Sequence, residues 1–114
     1  MTLSTHVLDA AAGRPAAGMA VTLSRRAGSG WEPVARGATD ADGRLRLADE
    51  SGAEVGLRPD VYRLDFDTGA YFAAADQTGF YPLVSITFEV TDPGSHHHVP
   101  LLLSPFAYST YRGS

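Results

Sequence analysis

Glycine and proline interrupt this chain at short intervals, and that spacing most constrains its fold. The 12 glycines and 7 prolines separate short stretches rich in β-branched and aromatic residues, a pattern typical of an all-β protein. Eight such stretches predict strands at residues 3–9, 19–26, 31–36, 44–47, 61–67, 83–91, 96–103 and 107–112. An alanine-rich stretch at residues 68–77 predicts the only helix, with Thr68 as its N-cap.

Alternating apolar residues indicate how these strands pack. In the strand at 61–67, the pattern places Tyr62, Leu64 and Phe66 on one face. Eight strands and one helix in 114 residues predict one domain over residues 1–114, a β-sandwich of two antiparallel sheets. Sheet edges need protection. We expect prolines 33, 100 and 105 to blunt some edges, with an edge or a bulge at Pro33, and a homo-oligomer to cover others.

The composition excludes several classes of function. A net charge of −4 argues against nucleic-acid binding, and no apolar run is long enough to span a membrane. The first residues carry no signal-peptide pattern, so we expect a cytoplasmic protein. Cysteine, lysine and asparagine are absent from the sequence. Thiol and lysine Schiff-base chemistry are therefore excluded, and catalysis would depend on His, Arg, Asp, Glu, Ser, Thr and Tyr.

A few polar residues stand out as candidates. His6 lies mid-strand on the same side as Ser4 and Leu8, and Arg44 directly follows the turn at residues 39–43, at a strand mouth where functional groups often lie. Arg46 shares the parity of Arg44. Taken alone, such a histidine is more often structural than catalytic, and such an arginine is more often solvated than functional.

The run at residues 96–98 places His96 and His98 on one face of a strand and His97 on the other. A zinc site needs three or four ligands, and no carboxylate lies close enough in sequence to complete one. We therefore expect no metal.

The residues 3–9 (LSTHVLD), 39–44 (TDADGR), 98–105 (HVPLLLSP) and 108–114 (YSTYRGS) together resemble the 5-hydroxyisourate hydrolase family, the transthyretin-related proteins of urate degradation. Residues 80–82 and 86–88 match its late strands. The terminal Tyr-Arg-Gly-Ser is the most specific motif, because thyroid-hormone carriers of the same fold lack it.

The resemblance implies a transthyretin-like sandwich of two four-stranded antiparallel sheets, with one short helix after the fifth strand. It implies a homotetramer, a dimer of dimers, with active sites in the channel between dimers and 5-hydroxyisourate as the small-molecule substrate. No cofactor is implied. The matching positions assign function to His6, Arg44, His98, Tyr111, Arg112, Gly113 and Ser114. The triple histidine departs from the family pattern, and we expect His96 and His97 to be exposed strand residues.

These residues suit the hydrolysis of a planar cyclic amide. We expect His6 and His98 to position and deprotonate water, Arg44 to bind substrate and its oxyanion, and Ser114 to fix a histidine or the water. Tyr111, Arg112 and Gly113 are expected to contact substrate. Which histidine is the base stays open. The alternative is a carrier of a small aromatic ligand without catalysis, which has no need of this polar set.

Overall fold

The computed structural model describes residues 3–114 and contains nine strands and one helix within that range. The strands are β1 Leu3–Asp9, β2 Arg14–Pro15, β3 Ala20–Ala27, β4 Gly30–Ala38, β5 Arg44–Arg46, β6 Asp60–Phe66, β7 Val84–Val90, β8 His97–Ser104 and β9 Ala107–Thr110. The helix α1, Thr68–Ala74, lies between β6 and β7. Eight strands confirm the predicted ones to within two residues at each end, and only the two-residue β2 lies outside the predicted strands.

The strands form two sheets, which confirms the predicted transthyretin-like sandwich. The four-stranded sheet has the order β4-β3-β6-β7 and is antiparallel throughout. In the other sheet, β8 lies between β1 and β9, while both β2 and β5 pair with β1. Two details differ from the prediction: this sheet has five strands because β2 joins it, and β1 pairs with β8 in parallel. Alternation along a strand carries no information about the direction of its partner.

The core lies between the sheets, and strand alternation decides which side chains enter it. Tyr62, Leu64 and Phe66 are fully buried, as the pattern in β6 predicted. In β1, the odd-numbered residues are buried, whereas Ser4, His6 and Leu8 are half-buried. The outer face of the five-stranded sheet therefore carries the candidate residues of β1.

The C-terminal end of β1 is held in place by hydrogen bonds to Asp9. Asp9 is only 4% exposed, and its carboxylate accepts hydrogen bonds from the Tyr71 hydroxyl at 2.7 Å and the Ala12 backbone N–H at 2.9 Å. Burial, reinforced by the Asp9 carboxylate, raises the pKa of Tyr71 to about 12, so its hydroxyl stays protonated and donates. This contact ties α1 to the strand that carries His6.

The helix α1 differs from the prediction in its N-cap residue and in where it ends. Its N-cap is Asp67, whose carboxylate accepts the Ala70 backbone N–H at 3.2 Å, so the assignment of Thr68 as N-cap is wrong. Thr68 is buried instead and donates to the Tyr81 carbonyl at 2.7 Å. The helix stops early because Asp76 adopts a φ of 57° and the Gln77 N–H closes on the Phe72 carbonyl. Within residues 3–114, no helix is long and apolar enough to cross a membrane.

The prolines lie in three different settings. Pro33 is in the edge strand β4, beside a shift in its register with β3, which confirms the predicted edge or bulge. Pro105 lies in the turn between β8 and β9. Pro100 lies in β8, which is flanked by β1 and β9, so the prediction that it blunts an edge is wrong. Because Pro100 has no N–H, it instead interrupts the hydrogen bonding between β8 and the chain that follows β9.

Candidate active site

Three adjacent strands bring His6, Arg44 and His98 to the outer face of the five-stranded sheet. In the pairing of β1 with β5, His6 lies directly opposite Arg44. In the parallel pairing of β1 with β8, Ser4 lies directly opposite His98. Residues paired across strands point to the same face. The three residues predicted from separate motifs therefore share one surface.

An open cavity of about 250 Å³ lies on this surface. Its lining includes the candidate residues Arg44 and His98. The remaining lining residues come from β1, from β5 and from the turn before it: Ser4, Thr5, Asp40, Leu45 and Arg46. The lining carries two arginines and a histidine, with Asp40 as its one carboxylate, so the cavity suits an anionic or carbonyl-rich ligand.

The turn before β5 is built to place Arg44 beside β1. The Asp40 carboxylate accepts the backbone N–H groups of Asp42 and Arg44, both at 2.9 Å. Gly43 has a φ of 75°, and a side chain there would overlap the Val7 carbonyl. The Val7 N–H in turn donates to the Gly43 carbonyl at 2.8 Å. Only glycine permits this close approach of the turn to β1.

The same turn orients His6. Its Nε2–H donates to the Asp42 backbone carbonyl, with a separation of 3.0 Å. A carbonyl only accepts hydrogen bonds, so in neutral His6 the proton is held on Nε2. The Nδ1 lone pair of His6 is then free to accept a proton or a hydrogen bond.

The two arginines of β5 differ in their partners. Arg46 makes an ion pair with Glu54, at 3.2 Å between Nη1 and Oε1. Among residues 3–114, Arg44 has no carboxylate within ion-pair distance of its guanidinium. Arg44 therefore offers an uncompensated cation to a ligand, whereas the charge of Arg46 is already balanced. This contrast supports Arg44, rather than Arg46, as the arginine that binds a ligand.

His98 lies at the centre of a cluster of polar groups. Its Nδ1 is 2.8 Å from the Ser4 Oγ, which is also 3.2 Å from Nε2 of His96. Burial, followed by electrostatic interactions with His96, Arg44 and His6, lowers the pKa of His98 from its usual 6.5. His98 is therefore neutral at pH 7, the state in which it can accept a proton.

The chain terminus reaches His98 through Gly113. The Gly113 N–H donates to the His98 carbonyl at 2.8 Å, in the same register as the β8–β9 pairing. Pro100 interrupts the ladder between these two segments, and the Thr110 hydroxyl donates to the Pro100 carbonyl at 2.7 Å. A side chain on Gly113 would overlap the His98 ring. Glycine is therefore the one residue that fits against the ring.

The other tail residues lie farther from the first cavity. Tyr111 and Arg112 line a second open cavity of about 250 Å³, together with Ile86 and Phe88 of β7. His98 lines both cavities. Tyr111 is 60% exposed. Ser114 is exposed and follows Gly113 directly, but within residues 3–114 it makes no hydrogen bond to a histidine.

The histidine run at residues 96–98 corrects one expectation. Two residues that were given no role, His96 and Ser4, lie beside His98. His97 is only 5% exposed and its Nδ1–H donates to the Ser95 carbonyl at 3.0 Å, so the expectation that it is exposed is wrong. Its parity with the apolar residues of β8 could have revealed this. His96 is exposed as expected, but it stacks near His98, with ring centroids 6.2 Å apart. Ser4 was overlooked, although it shares the parity of His6.

No metal centre is formed by the described part of the chain. Among residues 3–114, no three His, Asp or Glu side chains converge as ligands for a metal ion. The chemistry available on this face comes from the imidazoles of His6 and His98, the guanidinium of Arg44 and the hydroxyl group of Ser4.

Comparison with known proteins agrees with this arrangement. The profile of the HIUase/Transthyretin family matches residues 3–113. The chain is 47% identical over 116 residues to a 5-hydroxyisourate hydrolase from Caulobacter vibrioides, covering 98% of this chain and 97% of that protein.

Two solved structures are similar in fold and sequence. The 5-hydroxyisourate hydrolase of Klebsiella pneumoniae gives a TM-score of 0.85 at 38% identity, with 100% of both chains covered. Sea bream transthyretin, in complex with thyroxine, gives a TM-score of 0.86 at 35% identity, covering 97% of this chain and 93% of that one. Since the family profile extends over all but the last of the described residues, this chain belongs to the HIUase/Transthyretin family.

Proposed function

We propose that this chain hydrolyses 5-hydroxyisourate to 2-oxo-4-hydroxy-4-carboxy-5-ureidoimidazoline, a step of urate degradation. A relative with 47% identity carries the name 5-hydroxyisourate hydrolase. The observation that carries the proposal is the placement of His6, Arg44 and His98 on one face of the five-stranded sheet. Water would attack the ring carbonyl at C6, and the C6–N1 bond would break.

Arg44 is the residue proposed to bind the substrate. The substrate is planar and rich in carbonyl and N–H groups, and a guanidinium can donate two parallel hydrogen bonds to such a molecule. Arg44 has no carboxylate partner among residues 3–114, so its N–H groups can bind the substrate without first breaking an ion pair. The same charge would stabilise the oxyanion that forms at C6.

The two histidines are proposed to activate the water. His6 presents Nδ1 as its unprotonated nitrogen, because its Nε2–H is held by the Asp42 carbonyl. The lowered pKa of His98 keeps its imidazole unprotonated at neutral pH. A positioned general base contributes about 10²–10⁴-fold to a rate. Losing either histidine should therefore be severe.

The chain terminus is proposed to complete the site. Gly113 packs against His98 and so brings Ser114 to the same end of the sheet. The Ser114 hydroxyl or terminal carboxylate would then orient a histidine or the attacking water. Tyr111 and Arg112 line the adjoining cavity and would contact the substrate from that side.

We further propose that four chains assemble as a dimer of dimers, with the sites in the channel between the dimers. Exposed aromatic residues at β9 and its flanks support this, since Phe106, Tyr108 and Tyr111 are each at least 40% exposed. Light scattering tests it: a mass near four times 12.1 kDa is expected. The cytoplasmic location remains a prediction, which fractionation of cells that express the chain would test.

The enzymatic test generates the substrate in place. Urate and urate oxidase produce 5-hydroxyisourate, and its ultraviolet absorbance is followed after addition of the purified chain. We expect decay faster than the spontaneous reaction, with a much lower rate for Arg44→Ala and for deletion of Ser114. Full activity in both variants would refute the residue assignment and leave the hydrolysis itself standing.

The rival function is that of a carrier of a small aromatic ligand. One solved structure of similar fold is a transthyretin in complex with thyroxine. In this chain, however, the outer face of the five-stranded sheet carries the polar set of His6, Arg44 and His98. Tight binding of an aromatic ligand without turnover of 5-hydroxyisourate would favour the carrier.

A further inference from the structure

Ser4 lies between two histidines, one of which has no role in the proposed reaction. The Ser4 Oγ is 2.8 Å from Nδ1 of His98 and 3.2 Å from Nε2 of His96. The rings of the two histidines are nearly parallel, with an interplanar angle of 17°. His98 lines the cavity and His96 is exposed to solvent. The three side chains therefore form a continuous polar chain from the cavity to the surface.

We infer that Ser4 and His96 are positioning residues that keep the proton of neutral His98 on Nδ1 and leave its Nε2 as the base. This inference rests on the proposed hydrolysis. A serine hydroxyl has one proton to donate. If Nδ1–H of His98 donates to Ser4, the Ser4 hydroxyl donates to Nε2 of His96, and each group has a partner. The reverse direction would place the His98 proton on Nε2 and abolish the base.

The direction follows from the geometry of His98: its Nδ1 faces Ser4, so Nε2 is the nitrogen left to accept a proton from water, and it can do so only when the ring proton is on Nδ1. His98 is half-buried and faces Arg44 of β5 and His6 of β1, which disfavour a charge on its ring. On either side of Gly113, the tail adds the charges of Arg112 and of the terminal carboxylate of Ser114. His96 lies at the exposed end of the chain of three side chains, where it can exchange protons with water. Protons are therefore driven outward, from His98 through Ser4 to His96.

The proton balance of the step is complete. As the water oxygen bonds to the substrate carbon, Nε2 of His98 takes a proton from the water. The Nδ1 proton passes to the Ser4 Oγ, and the original Ser4 proton passes to Nε2 of His96. His98 remains neutral, Ser4 is regenerated, and His96 releases the extra proton to solvent. When the C6–N1 bond breaks, Nε2–H of His98 protonates the leaving nitrogen, His96 takes a proton back from solvent, and the relay through Ser4 restores the proton on Nδ1 of His98.

Three variants test the relay by kinetics. Ser4→Ala removes the link, Ser4→Thr restores a hydroxyl, and His96→Gln keeps an acceptor near the Nε2 position but cannot carry the proton. We expect Ser4→Ala and His96→Gln to lower kcat by about ten- to a hundredfold. Losing a hydrogen-bonding partner that orients a histidine has an effect of this size in metal sites. KM should hardly change, and Ser4→Thr should recover most of kcat. Ser29→Ala, in an exposed turn, is the matched control and should behave as wild type.

Nitrogen-15 NMR of the imidazoles gives a readout that does not depend on activity. The His98 signals, assigned by their loss in His98→Gln, should show the proton on Nδ1 in the wild type and a shift toward Nε2–H in Ser4→Ala. An Nε2–H tautomer in the wild type would overturn the relay. So would kcat values of Ser4→Ala and His96→Gln within about twofold of wild type. If the wild type fails to accelerate decay, the proposed hydrolysis fails instead, and the tautomer is still measured.

Discussion

Replacing Gly113 by alanine tests whether the chain terminus shapes the active site. The new Cβ would lie 3.1 Å from Cγ and 3.3 Å from Cβ of His98, and closer still to Cδ2. Non-bonded carbons prefer about 3.5–4.0 Å, so the ring must move by roughly 0.5–1 Å. A displacement of about 1 Å at a reacting group can cost on the order of 10²-fold in rate. We expect kcat of Gly113→Ala to fall by about ten- to a hundredfold.

The backbone does not account for this loss. Gly113 does not have a positive φ, so alanine is compatible with its conformation. Gly56→Ala is the matched control, because Gly56 also lacks a positive φ and a Cβ there meets open space. The assay is the decay of 5-hydroxyisourate, with thermal unfolding as a check on folding. Wild-type kcat in Gly113→Ala, with its unfolding midpoint unchanged, would refute the claim that this glycine sets the position of His98.

Five further outcomes are expected. Arg44→Gln should lower kcat/KM far more than Arg46→Gln, because Glu54 already pairs with Arg46; steady-state kinetics compares them. Since burial and nearby cations lower the pKa of His98, its base form persists to lower pH, and the acid limb of kcat/KM should have its midpoint below 6.5. The same shift means that the unfolded chain binds this proton more readily, so His98 makes stability fall as pH drops below about 6.5. Gly43→Ala should lower the free energy of unfolding by more than about 1 kcal/mol, measured in urea, because it adds a strained φ and a clash with β1. A peptide fused after Ser114 should reduce kcat without changing the unfolding midpoint.

Local patterns sufficed for most of the fold. Alternation in β6 correctly placed Tyr62, Leu64 and Phe66 on one face, and alternation in β1 correctly placed Ser4 and His6 on the same side of the strand. Helix α1 was located by its alanines, but its N-cap was misassigned. Both Asp67 and Thr68 are good caps, and only the burial of Thr68 beneath the chain at Tyr81 decides between them.

The arrangement of the site depends on pairings that a single sequence does not reveal. Ser4 and His98 are 94 positions apart and meet only because β1 and β8 pair in parallel, with Ser4 opposite His98. Likewise, Gly113 reaches His98 because the tail keeps the register of β9 past the gap at Pro100. The motif residues could be predicted by resemblance, but the link through Ser4 to His96 needed the structure.

The initial rate of 5-hydroxyisourate decay, measured against the concentration of this chain, tests the central claim most directly. A hydrolase that uses His6, Arg44 and His98 predicts a rate that rises in proportion to protein concentration, well above spontaneous decay. A carrier that only binds the compound would leave the decay unchanged or slow it. Either of those results would contradict the proposed function.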